Sequence, residues 1–482
     1  MNRTERRSRF ERGDDVVVMK FGGTSLEDAA AIRRLIGIVR GKADAQAVVV
    51  VSALAQVTDQ LLEAGHAAAK GHLGSALAAV RDIYVRHERL AEEIVEGSSR
   101  GVLERQLRPE FQALEALLHS LEASRQLELR VQDQLLGFGE RLSSWLLVAA
   151  LCDAGLNATH VDAGKCIVTD DRHGQASPLW DVTNARLQAA LGWLLDAKKV
   201  PVLGGFIAST NEGVPTTLGR GGSDFSAAIV GVALGAARVE IWTDVDGIMT
   251  TDPKLCSEAR VIRRMSFDEA AEMAHFGAKV LHPATLAPAM RENIPVYVLN
   301  SRRPEGEGTE ITARARTSGT VSAITAKRQV AAVEVEPSHG IDSLVLSTVY
   351  AAFDRHACPM DITGTSLGRL SILVGSTAAL PKIAAELQGV ASVRWENHKA
   401  LVCLVGENLR RQPDVASQVF AAVSDLEVRV FCQGASERTI SFLVEESKVE
   451  ESVRRLHGIF FPLPPEAAKD WGGISSAYCQ AG

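Results

Sequence analysis

Two phosphate-binding signatures are missing from this 482-residue sequence. It has no Gly-x-x-x-x-Gly-Lys-Ser/Thr loop and no Gly-x-Gly-x-x-Gly fingerprint, so neither a P-loop nor a dinucleotide turn is present. Its seven cysteines, at 152, 166, 256, 358, 403, 432 and 479, form no Cys-x-x-Cys and no paired spacing. That excludes a legible disulfide framework, indicates no metal site and fits a reducing, cytoplasmic setting. Apolar runs are strand-length or broken by glycine and charge, so no membrane span is expected. The net charge of −7 argues against bulk nucleic-acid binding. Residues 1–15 are rich in Arg and Glu without an apolar stretch, and read as a disordered tail, not a signal peptide; residues 466–482 read as a second tail. Hydrophobic residues at 46% and charged residues at 23% suit a globular chain, and the length suits two or three domains.

What is present begins with a β-branched run, Val16 to Val18, leading through Met19 to Lys20-Phe21-Gly22-Gly23-Thr24-Ser25. A helical pattern follows over Leu26 to Arg40, with Ser25 and Asp28 spaced as a capping box. Strand, glycine turn and helix start together present bare N–H groups to an anion, with Lys20 at the strand's C-terminal edge. An ordinary turn with a solvated lysine fits this stretch equally well. Val48 to Ala53 reads as the next strand, which completes a βαβ unit and implies a parallel sheet. A helical lobe is expected over residues 59–155. It ends in a helix opening at Asp133, on which Glu140 sits among Gly137, Gly139 and a Leu/Trp stripe. Alone, Glu140 reads as a solvated helix carboxylate.

Thr159 to Val168 reads as a strand pair, and Val200 to Ala208 as a strand interrupted by Gly204-Gly205. Glycine within a strand marks the close approach of another backbone or a ligand. Leu218-Gly219-Arg220-Gly221-Gly222-Ser223-Asp224 then leads into an apolar helix and makes a second anion-receptive loop. Asp244 and Asp246 open like a calcium loop, but its twelfth position is Leu255, so that reading fails. His282, beside Pro283, reads as a structural hydrogen-bonder. Past a charged, glycine-rich passage at Ser301 to Thr320, two α+β units repeat at a spacing of about 60–70 residues, in ferredoxin-like βαββαβ order.

Four stretches taken together resemble aspartate kinases, in that family's order and spacing. They are Lys20 to Ser25, Thr217 to Asp224, Trp242 to Gly247 and Phe276 to Pro283, and the resemblance extends over residues 16–462. The helix-rich insert is similar to the lysine-sensitive branch. The resemblance implies an amino-acid-kinase fold, a mainly parallel α/β sheet sandwiched by helices, over residues 16–313. A linker over 314–328 and two ferredoxin-like ACT domains, 329–398 and 399–465, would follow.

The implied reaction is phosphorylation of the side-chain carboxylate of L-aspartate by ATP with Mg²⁺, giving 4-phospho-L-aspartate for amino-acid biosynthesis. A carboxylate needs no general base at neutral pH. It needs positioning and charge neutralisation. By resemblance, Lys20 meets the transferring phosphoryl group, Gly22 and Gly23 supply donors around it, and Asp224 orients Lys20. Arg220 grips the substrate α-carboxylate, Glu140 takes its ammonium, and Ser52, Thr58 and Ser223 complete the substrate set. Thr243, Asp244, Met249, Lys254, Lys279 and Val280 fall to the nucleotide. No protein-held metal site is implied, since Mg²⁺ is held mainly through ATP oxygens and water.

Leu54 stands where relatives often carry serine, Met249 where a tyrosine is frequent and Lys254 where an arginine is frequent. An amino-acid effector, lysine or threonine, would meet His339, Asp342, Asp361 and Ser366, although Leu367 replaces the glutamate of lysine-sensitive members. A homodimer or homotetramer through the ACT sheets is implied. The competing readings are a relative acting on another carboxylate, carbamate or nucleotide, and an amino-acid sensor that has lost catalysis.

Overall fold

A computed structural model describes residues 16–42, 45–278, 283–315, 320–366, 368–433 and 436–462. Both expected tails and the motif residues 279–282 lie outside these. The chain forms two compact units: residues 16–248, 261–270 and 283–315 in the first, and residues 249–260, 271–278 and 320–462 in the second.

The first unit opens with β1 (Val16–Phe21), α1 (Ala29–Arg40) and β2 (Gln46–Val51). Helices α2 (Val57–Ala69), α3 (Leu73–Ile94), α4 (Gly97–Ser124) and α5 (Leu129–Asp153) form the helical lobe. Then come β3 (Ala158–Val161), α6 (Ala163–Cys166), α7 (Trp180–Asp196), β4 (Val200–Gly204), β5 (Ile207–Ser209), β6 (Pro215–Thr217) and α8 (Gly222–Leu234). The remainder is β7 (Arg238–Thr243), β8 (Arg264–Ser266), α9 (Phe267–His275, whose last turns count with the second unit), α10 (Pro283–Arg291), β9 (Val296–Asn300) and β10 (Thr309–Thr312).

Eight strands make one sheet in the order β3-β4-β2-β1-β7-β9-β10-β8. All its pairings are parallel except β9 with β10. The valines of β2 are unexposed on both faces, as a strand between two helical layers requires. Burying each is worth roughly 1.5–3 kcal/mol before chain entropy is counted. Because β1, β2, β4 and β7 run parallel, their C-terminal ends share one edge. That edge carries Lys20, Ser52, Gly204-Gly205 and Thr243.

Three local readings change. The helix after β1 starts at Ala29, with Asp28 as its N-cap accepting from the Ala31 N–H at 2.7 Å. Ser25 instead lies in a 3₁₀ turn, and its hydroxyl donates to Ser301 Oγ. The expected strand pair at 159–168 is β3 followed by the one-turn helix α6. The split at Gly204-Gly205 is a change of sheet, since β5 pairs antiparallel with β6. Helix α5 is long and apolar enough to cross a membrane, but most of it is buried here as the core helix of this unit.

The second unit is built on β11 (Val321–Pro337), α11 (Ser343–Arg355), β12 (Met360–Ser366), β13 (Arg369–Val374), α12 (Leu380–Glu386), β14 (Ala391–Gly406), α13 (Pro413–Ala422), β15 (Phe431–Gln433), β16 (Thr439–Glu445) and α14 (Val449–Phe460). Residues 321–328, expected as linker, are strand. β11 and β14 are long enough to serve both ferredoxin-like halves of one six-stranded sheet, ordered β12-β13-β11-β14-β16-β15. The C-terminal half of β11 opens the first βαββαβ. Its N-terminal half supplies the last strand of the second, pairing Val321 with Gly406 and Lys327 with Leu401. A register break between Lys327 and Val330 separates two cores, one under α11 and α12 and one under α13 and α14.

Candidate active site

Lys20 is the penultimate residue of the central strand, in register with Val50 of β2 and Ile241 of β7. It is only 9% exposed, and its ammonium lies 2.7 Å from Asp224 Oδ1 in the first turn of α8. Gly22 is tied to β7 through its N–H and the Trp242 carbonyl at 3.2 Å. A side chain there would begin 3.6 Å from the Lys20 ammonium, so bare backbone faces the cation. At Gly23 a Cβ would come within 3.0–3.2 Å of the Ala53–Ala55 backbone, so the β1 and β2 turns interlock.

The loop into α8 is set by two glycines in the left-handed region, Gly219 at φ 75° and Gly221 at φ 71°. Gly221 is the N-cap residue, so the free N–H groups of α8 begin beside Ser223 and Asp224. Gly205 approaches so closely that an added Cβ would stand 2.8 Å from Ser223 Cα and Cβ. The glycine pair in the sequence therefore reports backbone contact between the β4 turn and α8. Arg220 is exposed and has no acidic partner among the described residues.

Glu140 does not behave as a surface carboxylate. It is 4% exposed on α5, and its Oε2 is buried without a hydrogen-bond partner. Burial pushes its pKa up from 4.5 to about 8, against the opposing pull of the Ala53 N–H and the nearby Lys20 and Arg141 cations. Helix α5 is held to the β2 turn by the Ser143 hydroxyl, which donates to the Ser52 carbonyl at 2.7 Å. A buried carboxylate with an unused oxygen favours a cationic ligand.

Lys20, Asp224 and Glu140 thus share one electrostatic neighbourhood, framed by Gly22, Gly23, Ser52 and Ser223. Thr58 lies partly exposed in the first turn of α2. Thr243 and the exposed Asp244 end β7, where the Thr243 hydroxyl reaches Asp244 Oδ1 at 3.3 Å. Met249 and the exposed Lys254 belong to the second unit, and Lys279 and Val280 lie outside the described residues. Leu54, where relatives often carry serine, is a core residue at 1% exposure.

One supporting group had no signal in the sequence. Asp133, 2% exposed on α5, accepts from Thr217 Oγ1, from the Gly174 N–H and from His173 Nδ1. It ties the 170–174 turn to the strand that feeds the Arg220 loop, and Gly219 packs against that same turn. Its three donors come from distant parts of the chain, so only folding assembles the network.

In the second unit, the four expected effector residues are differently placed. Asp342 is the N-cap of α11, accepting from the Val345 N–H at 2.8 Å. Both Asp361 oxygens accept from Lys327 Nζ, at 2.6 and 2.7 Å. His339 and Ser366 are exposed. Leu367 lies outside the described residues.

Comparison with known proteins fits this architecture. Residues 15–300 match the amino acid kinase family, and residues 402–460 match an ACT domain. The lysine-sensitive aspartokinase 3 of Escherichia coli is 34% identical over 464 residues, 93% of this chain and 99% of that protein. The crystal structure of E. coli aspartokinase III with aspartate and ADP, described as the R-state, superposes with a TM-score of 0.81 at 34% identity, covering 92% of this chain and all of that one. The same enzyme with lysine and aspartate, described as the T-state, gives 0.79 at 34% identity, covering 93% of this chain and all of that one. The expected amino-acid-kinase fold followed by ACT architecture is borne out. By sequence along nearly its whole length and by the fold of its sheets, the chain belongs to the amino acid kinase family and, within it, to the aspartokinases.

Proposed function

We propose that the first unit transfers the γ-phosphoryl group of ATP to the side-chain carboxylate of L-aspartate. The observation that carries this reading is the unpartnered Oε2 of Glu140 beside the Lys20–Asp224 pair. The substrate ammonium supplies the cation that Glu140 lacks. The exposed Arg220 fork takes the α-carboxylate through two parallel hydrogen bonds. This leaves the side-chain carboxylate directed at the nucleotide.

A carboxylate oxygen attacks the γ-phosphorus, the bond to the bridging β–γ oxygen breaks, and ADP departs with that electron pair. No proton moves, so the protein's task is to hold two anions together. Lys20, kept in place by Asp224, neutralises charge on the phosphoryl oxygens. The backbone at Gly23 and the free N–H groups of α8 receive the remainder, whereas Gly22, expected as a donor, has its N–H on the Trp242 carbonyl and contributes only open space beside the cation. Thr243, Asp244, Met249, Lys254, Lys279 and Val280 are assigned to the nucleotide, which arrives with Mg²⁺ held through phosphate oxygens and water.

Trapping the acyl phosphate with hydroxylamine tests this. Hydroxamate should form from L-aspartate and MgATP but not from N-acetyl-aspartate, which lacks the ammonium. Equal turnover of both would overturn the role of Glu140, and turnover of glutamate alone would overturn the substrate.

The second unit is proposed to respond to an amino-acid effector, lysine or threonine, because the aspartokinase III that this chain resembles has been crystallised with lysine. His339, Asp342, Asp361 and Ser366 remain the proposed contacts, with Lys327 already on Asp361 as a competitor for any effector ammonium. Edge strands β12 and β15 leave unpaired backbone, and pairing through such an edge gives a homodimer or larger assembly. Activity measured with each amino acid to millimolar levels, beside the sedimentation behaviour, decides both points.

A further inference from the structure

We infer that the second unit holds a thiophilic divalent metal, with Zn²⁺ the best chemical fit, between Cys256, Glu258 and His457. One ligand atom from each of these residues lies within 4.8 Å of the others. Among the described residues no other trio of His, Cys, Asp or Glu comes together in this way. Cys256 is an unpaired thiol at 5% exposure, His457 on α14 is fully buried, and Glu258 is exposed.

The second observation is the state of the imidazole. His457 Nε2 lies 3.0 Å from Thr250 Oγ1, a hydroxyl that also accepts from the Arg260 N–H at 3.0 Å. Its other nitrogen, Nδ1, is buried with no hydrogen-bond partner. When Nε2 donates to Thr250, the buried Nδ1 is left with a lone pair that no protein group uses. Metal-binding histidines have this form, one nitrogen fixed by an outer hydrogen bond and the other free for the ion.

The donor set selects the ion. Thiolate and imidazole favour zinc over magnesium or calcium, which take oxygen ligands. One thiolate and one carboxylate cancel a divalent charge, leaving a neutral cluster where net charge would be costly. Zinc bonds of about 2.0–2.3 Å place tetrahedral ligand atoms roughly 3.3–3.7 Å apart. The three ligand atoms, within 4.8 Å of one another, would draw together on binding, and a water would complete the fourth position. Arg260 donates from its Nη2 to the Phe461 carbonyl at 2.9 Å.

The site would clamp the 249–260 segment onto α14. That segment already packs Leu255 and Cys256 into the same apolar core as Leu456, and its Thr250 carbonyl accepts from the Ile324 N–H. A metal joining residues so distant in sequence removes much freedom from the unfolded chain.

The full-length protein, stripped with chelator, is titrated with Co²⁺ alone and followed by absorbance. One equivalent should produce a thiolate-to-cobalt charge-transfer band, which one equivalent of Zn²⁺ removes. Cys256→Ser should abolish the band. Glu258→Gln should keep it while weakening affinity at least about 10-fold. Zn²⁺ should raise the melting temperature of the parent but not of Cys256→Ser. No band, or a band that survives Cys256→Ser, overturns the inference by moving the metal to another cysteine. If Cys256→Ser fails to fold, the exposed Glu258→Gln decides, and unchanged affinity overturns it.

Discussion

Buried charge is treated in opposite ways at Glu140 in the first unit and at the ion pairs of the second. At the sheet edge of the first unit, Glu140 is buried with one oxygen unused, close enough to Lys20 to feel its charge. In the second unit, comparable groups are already paired: Asp361 with Lys327, and the 5%-exposed Lys399 with both Glu396 and Glu445. A buried carboxylate left half-satisfied is costly unless something else completes it. The contrast supports the proposal that aspartate binds in the first unit, and it makes the unpartnered His457 nitrogen of the second the exception that the metal inference explains.

The strongest way to break this contrast is Lys20→Ala. It removes the cation at the phosphoryl position, and kcat should fall roughly 10²–10³-fold with little change in KM for aspartate. Undiminished hydroxamate formation would remove Lys20 from the chemistry. Next is Gly205→Ala, whose methyl would stand 2.8 Å from the Ser223 backbone. The first turn of α8 must shift, carrying Asp224 away from Lys20, and a misplacement on the order of 1 Å costs up to about 10²-fold in rate. Steady-state kinetics beside a thermal melt separates this from unfolding.

Glu140→Gln keeps the shape but loses the charge. KM for aspartate should rise about 10- to 100-fold, the loss expected for a charge-assisted hydrogen bond of about 1.5–3 kcal/mol. The same residue gives a pH signature. Its folded pKa is raised from 4.5 to about 8, so the neutral form is favoured in the fold. Its contribution to stability is greatest below 4.5 and declines as pH rises toward 8. Binding an ammonium requires the ionised form. Aspartate affinity should therefore increase with pH up to about 8, with proton release on binding below it. Calorimetry in buffers of different ionisation enthalpy measures that proton, and Glu140→Gln should abolish its release.

The smallest effect is expected from Lys327→Met in the second unit. Lys327 is partly exposed but the Asp361 side chain is only 9% exposed, so the loss of the pair should cost about 1–3 kcal/mol of stability with basal activity unchanged. Asp361 would then be left with both oxygens free, and the half-inhibiting concentration of a cationic amino acid should fall. Unchanged sensitivity would show that Asp361 is not an effector contact.

Several of these features are legible in the linear chain and several are not. Lys20 at a strand end, the glycines after it and the Gly219–Gly222 loop can be read because turn geometry is local. The glycine pair at 204–205 signals a close approach, yet the partner, Ser223 on α8, is visible only in the fold. Glu140 reads as a surface carboxylate because helical spacing says nothing about what covers a helix. Its burial depends on how α5 packs over the β2 turn. The 321–328 stretch reads as linker because half of a long shared strand has no hydrophobic alternation distinct from its neighbours.

The order of residues determined by itself the parallel sheet, the glycine loops at its edge, the ferredoxin-like repeat and the family, since all rest on local backbone preference and short-range spacing. Tertiary structure alone decided which charges are paired and which wait. Solvation and partnership depend on segments brought together from far along the chain, as Asp133 shows with His173 and Thr217, and Cys256 with His457.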